Sequence, residues 1–136
     1  MKGKIYTFDM KSKLVAFTND IESDIVLIYI GGLSSTLLST PFTSEMSDFC
    51  TSKNVRLIIP QLRSMPNYRI FPISSGVEDV HKIVEQNKGK QIILLGHSTG
   101  CQVSMLYLKK YGSQDINQVI LQAPVSDVEY EESINP

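Results

Sequence analysis

Apolar runs recur along the chain at residues 4–6, 14–17, 25–30, 55–59, 91–95 and 118–121. The last four are almost unbroken Ile, Val and Leu, the composition of parallel strands covered on both faces, and the segments between them are long enough for helical crossovers. The first two, shorter and interrupted by polar residues, predict a leading antiparallel hairpin. Helical spacing fills the gaps. Thr40-Pro41 offers a capping hydroxyl followed by a proline at the first helical position, with Phe42, Met46, Phe49 and Cys50 on one face and an end near Asn54. Ser75-Gly76-Val77-Glu78 has the spacing of a capping box, and Val77, Val80, Ile83 and Val84 form an apolar stripe before Asn87 and Gly89. A third helix is expected from Ser98 or Thr99 to Gly112, with Cys101, Met105 and Leu108 inward. The order ββ-βα-βα-βα-β predicts an open α/β sheet in one domain spanning residues 1–136.

Composition narrows the partners. Thirteen Lys and Arg balance 14 Asp and Glu, a formal charge of −1, so no broad basic surface is expected for nucleic acid or an anionic bilayer. The longest apolar run is far too short to span a membrane, and the N-terminal residues lack the apolar core of a signal peptide, which gives the expectation of a cytoplasmic protein. Cys50 and Cys101 stand apart, without metal-ligand or disulfide spacing, and are expected to be reduced packing residues. Neither a metal nor a cofactor is expected. Nucleotide binding has little support, since residues 31–35 lack G-x-G-x-x-G spacing and no GKS or GKT occurs.

The sharpest chemical signal is Gly96-His97-Ser98-Thr99-Gly100, a G-x-S-x-G motif between a buried strand and a helix. A serine on so tight a turn projects above the sheet as a nucleophile, and glycines two positions to either side remove side chains that would collide there. The helix N-terminus favours the negative charge of an oxyanion. Ser98 as an ordinary helix cap is the competing reading. A glycine pair, Gly31-Gly32, follows the third strand and exposes backbone to a substrate carbonyl, so Gly32 or Leu33 is a candidate for one oxyanion donor and Thr99 for the other. A plain tight turn explains the pair equally well.

The strand, the GG loop, the elbow and the order of elements together resemble the N-terminal part of an α/β-hydrolase. More narrowly, LLGHSTGCQ followed by LQAPVSD resembles a little-characterised group of fungal and plant α/β-hydrolase-like proteins, over residues 25–127. The resemblance implies a mostly parallel sheet of about six strands, Ser98 as nucleophile, Thr99 as an oxyanion donor and the Gly31-Gly32-Leu33 loop as source of the other. It implies hydrolysis of an ester, thioester or amide of a small acyl substrate.

One part of the pattern fails. The fold brings its acid and histidine after the serine, yet no histidine follows Ser98; the two present are His81, expected on a helix flank, and His97, expected to pack beside the elbow. Asp127 is the candidate acid, although Ser126-Asp127-Val128-Glu129 also reads as a capping box, the favoured reading. Arg63, Tyr68 and Arg69 read as solvated loop residues rather than contacts for an anionic group. The last two strands of the hydrolase type are expected to be lacking and the domain truncated, with residues 118–121 left as an open sheet edge that invites a partner or a second copy. The alternative to an enzyme is a non-catalytic module binding through that edge or the pocket.

Overall fold

The computed structural model describes residues 1–124. Six strands and three helices follow in the predicted order: β1 (Lys4–Asp9), β2 (Leu14–Thr18), β3 (Ile25–Ile30), α1 (Thr43–Ser52), β4 (Arg56–Pro60), α2 (Ile73–Gln86), β5 (Gln91–His97), α3 (Thr99–Tyr111) and β6 (Gln118–Gln122). They form one sheet with the strand order β1-β2-β4-β3-β5-β6. β1 and β2 are the antiparallel hairpin, and β2 joins β4 antiparallel. The remaining pairs are all parallel, with Ile28 opposite both Ile58 and Leu94 in the middle of the sheet. The arrangement is the open, mostly parallel sheet of an α/β-hydrolase.

Alternation along the strands divides the core in two. Val26, Ile28 and Ile30 of β3 and Ile92 and Leu94 of β5 face α2 and α3, where Val77, Val80, Ile83, Val84, Val103 and Tyr107 meet them. Tyr29 of β3 and Leu57 and Ile59 of β4 face the other way, against Cys50 of α1. Each such aliphatic side chain favours the fold by roughly 1.5–3 kcal/mol, so the α2/α3 face supplies most of the apolar drive. β6 has β5 on one side and, among the described residues, no strand on the other; Ile120 and Leu121 are exposed.

Local signals need correction in all three helices. α1 starts after Thr40, whose hydroxyl lies 3.1 Å from the Tyr29 hydroxyl and whose carbonyl accepts from the Thr43 amide, so it caps nothing with its side chain. Phe49 of α1 is exposed, and Thr43 and Ser47 are buried beside Cys50. In α2 the expected capping box lies inside the helix: Pro72 occupies the N-cap and the Ser75 amide already donates to its carbonyl. The valine stripe is as expected but widened by Gly76 and Asp79, both fully inside. In α3 the inward residues are Cys101, Val103, Ser104 and Tyr107, while Met105 is exposed. Gly112 ends that helix with φ of 80°, a conformation glycine adopts without steric cost.

Asp79 also corrects the reading of Arg63. Arg63 donates from its backbone amide (2.9 Å) and from Nε (3.0 Å) to the Asp79 carboxylate, which is fully buried. The arginine is thereby part of the structure of the loop between β4 and α2, whereas Arg69 in the same loop is exposed. Burial raises the Asp79 carboxyl above the ordinary carboxylate range, against the pull of Arg63 and Lys82. Both cysteines are free and buried, as expected.

Candidate active site

The site lies where β3 and β5 end side by side. β5 runs through Gly96 and His97, a single residue, Ser98, makes the turn, and α3 begins at Thr99. Ser98 has φ of 56° and ψ of −120°, a region that a residue with a Cβ enters only under constraint. No side-chain capping bond accompanies it, which removes the reading of Ser98 as an ordinary helix cap. Its strain is held from both ends: the Ser98 amide donates to the Gln122 carbonyl at the end of β6 (3.0 Å), and the Ser98 carbonyl accepts from the Cys101 amide (3.0 Å).

The flanking glycines are there for room. A Cβ on Gly96 would lie 2.6 Å from the Gly100 carbonyl oxygen and 2.7 Å from the Cys101 amide nitrogen. One on Gly100 would overlap the carbonyl oxygen of Ile30, the last residue of β3, and lie 2.8 Å from that of Gly31. Both neighbours are backbone and cannot swing aside. The first turn of α3 therefore sits directly on the end of β3, which brings the Gly31-Gly32 loop to Ser98. A Cβ on Gly32 would stand 3.5 Å from the Ser98 Cβ and 3.8 Å from its Oγ.

The loop itself is a tight turn, closed by the Ser35 amide donating to the Gly32 carbonyl (3.0 Å). Among the described residues no acceptor is bonded to the Gly32 or Leu33 amide. Of the residues expected to act together, Ser98, Thr99, Gly32 and Leu33 share this corner of the fold. Asp127 lies outside the described residues. Behind the loop, Tyr29, Gly31, Ser35, Ile59, Leu62 and Met65 enclose a cavity of about 10 Å³, room for one water at most and not for an acyl group.

Neither histidine meets the serine. His97 packs edge-on against Phe42 with ring centres 6.0 Å apart, and its buried Nδ1 has no hydrogen-bond partner among the described residues. His81 stacks on Tyr111 (3.7 Å) between α2 and α3, with Nδ1 3.1 Å from the Tyr107 hydroxyl and Nε2 3.4 Å from Glu85. The Tyr107 phenol is pushed up to about 12, first by burial and then by Asp115 and Glu85. Cys101, three residues past Ser98, is tied into the turn: its thiol donates to the Gly96 and Gln122 carbonyls, and burial raises it above the ordinary thiol range.

Two contributors escaped the motif reading. Gln122 anchors the elbow through its carbonyl, a role with no side-chain signature. Ser35 reaches the space over the glycine pair, and the only trace of it in sequence is the hydroxyl run after GGL.

The family described as "Protein of unknown function (DUF1749)" matches residues 2–136. A UPF0613 protein of Schizosaccharomyces pombe is 28% identical over 139 residues, covering 93% of this chain and 43% of that protein. Among solved structures, the siderophore hydrolase EstB of Aspergillus fumigatus superposes with a TM-score of 0.77 at 22% identity, over 98% of this chain and 46% of its own. Mouse alpha/beta hydrolase domain-containing protein 10 gives 0.72 at 17% identity, over 98% and 58%. The chain thus spans about half the length of the proteins it matches. No helix among the described residues is long and apolar enough to cross a membrane.

Proposed function

The chain belongs to the DUF1749 family, and on that premise we propose that it carries the nucleophile and oxyanion half of a serine hydrolase acting on an ester, thioester or amide carbonyl. The observation that carries this reading is the backbone of Ser98, φ 56° and ψ −120°, at a one-residue strand-to-helix turn with Gly32 facing it. Ser98 Oγ attacks the carbonyl carbon, and the resulting oxyanion is held by the Thr99 amide and that of Gly32 or Leu33. Fixed amides of this kind stabilise charge that develops only in the transition state, which is where binding accelerates a reaction.

Proton removal from Ser98 needs a base. His97 is turned against Phe42 and His81 sits on the helical flank, so residues 1–136 alone are expected to react slowly. Loss of a triad member typically lowers turnover on the order of 10⁴-fold or more, with a residue of rate left to the oxyanion hole. Asp127, read first as a helix cap, is the candidate acid, and the cytoplasm is the proposed location. Fluorophosphonate labelling tests the reading: wild type should label slowly and Ser98→Ala not at all. Equal labelling of the two proteins refutes an activated Ser98.

The exposed Ile120 and Leu121 on β6 favour a second reading, a non-catalytic module that pairs with another chain at this edge. It predicts association without turnover, and a clean monomer by size-exclusion chromatography with light scattering argues against it.

A further inference from the structure

We propose that Ser35 is a further catalytic residue, whose hydroxyl donates a hydrogen bond to the oxyanion formed when Ser98 attacks. The inference rests on the hydrolase reading and adds a side-chain donor to a hole otherwise made of backbone. Its basis is the empty volume left by Gly32. A methyl group placed there would stand 3.8 Å from Ser98 Oγ and 4.0 Å from Ser35 Oγ, so two hydroxyls border one space the size of a small atom group. That space adjoins the nucleophile and the Gly32 and Leu33 amides, where the oxygen of a substrate carbonyl must go.

Ser35 is held there by its backbone. Its amide closes the turn on the Gly32 carbonyl (3.0 Å), which fixes where its Cβ starts. A Cβ on Gly31 would meet Ser35 Oγ at 2.5 Å and its Cβ at 2.7 Å, so the serine lies flat on the glycine backbone, and only glycine at position 31 leaves it that seat. The cavity behind the loop, which Gly31 and Ser35 also line, admits one water at most, so the acyl oxygen approaches from the Gly32 side. A hydroxyl rotates about its C–O bond and serves as donor at the moment charge develops. A hydrogen bond donated to an anion is about twice as strong as one donated to a neutral acceptor.

The test is the rate of fluorophosphonate labelling of the full chain in four forms: wild type, Ser35→Ala, Ser35→Thr and Ser98→Ala. Ser35→Ala removes one oxygen from a half-exposed side chain, and its melting temperature should match wild type. Its labelling should be roughly 100- to 1,000-fold slower, the range for losing one oxyanion donor, and Ser35→Thr should recover part of the rate. If Ser35→Ala labels at the wild-type rate while Ser98→Ala does not label, Ser35 only packs and this proposal falls with the nucleophile intact. If Ser35→Thr is as slow as Ser35→Ala although both melt as wild type, the lost hydroxyl is not the cause and the proposal is overturned. If Ser98→Ala labels like wild type, the hydrolase reading fails and the role of Ser35 goes with it.

Discussion

The junction of β5 with α3 passes from strand to helix through Ser98 alone and is fixed by backbone packed on backbone, whereas the loops after β3 and β4 are long and held by side-chain bonds as well as local backbone turns. On the elbow side, Gly96 and Gly100 let main chain touch main chain, and two backbone hydrogen bonds clamp Ser98. On the other side, Tyr29 meets Thr40, Ser39 Oγ accepts from the Thr36 amide, and Asp79 grips Arg63. Backbone packing leaves no rotamer to adjust, so Ser98 is placed once the sheet has formed. Side-chain bonds can be remade, so those loops are the part that sequence change can retune without loss of the fold.

Substitutions at each wall sharpen that contrast. The largest effect is expected from Gly100→Ala, whose methyl group overlaps the Ile30 carbonyl; it should cost at least about 3 kcal/mol in urea unfolding, because neither contact is a flexible side-chain tip. Loss of only a few tenths would show that the elbow can give way. Asp79→Ala comes next, at about 2–3 kcal/mol, since it strips the Arg63 amide and guanidinium of a buried partner while Arg63 keeps some access to water. Its pH dependence has a definite sign. The folded carboxyl titrates above its unfolded value, so the stability it contributes is fully present below the unfolded value and is lost as pH rises through the folded one. An Asp79→Asn chain, which cannot titrate, should therefore lie further below wild type at about pH 4 than at about pH 7.

Smaller effects separate strain from chemistry. Ser98→Gly should raise stability by about 1 kcal/mol while abolishing labelling, because glycine occupies φ of 56° without the cost that serine bears there. A destabilised Ser98→Gly would mean the turn is relaxed and the strain argument wrong. Gly32→Ala should change stability least, within about 0.5 kcal/mol, since its Cβ finds only ordinary contacts at 3.5 Å and beyond. The same methyl group fills the space between Ser98 and Ser35, so labelling should fall at least about tenfold. Stability and labelling thus part company at Gly32.

Sequence alone determined the strands, their order along the chain, the parallel character of the last four and the position of Ser98 at a strand-to-helix turn. Those follow from hydrophobic periodicity and from one local motif, both of which act over a few residues. It misplaced the first turns of α1 and α2, because a Thr, a Ser and a Glu at capping spacing say nothing of whether a hydroxyl has a better partner elsewhere: Thr40 found Tyr29, and Pro72 had already opened α2. It read Arg63 as solvated, since a lone arginine in a loop carries no sign that a buried Asp79 awaits it sixteen positions on. The tertiary structure alone decided that Gly32, Ser35 and Ser98 enclose one volume and that His97 turns away toward Phe42. Strand register and helix docking fix those meetings, and contacts between residues far apart in the chain leave no periodic trace in it.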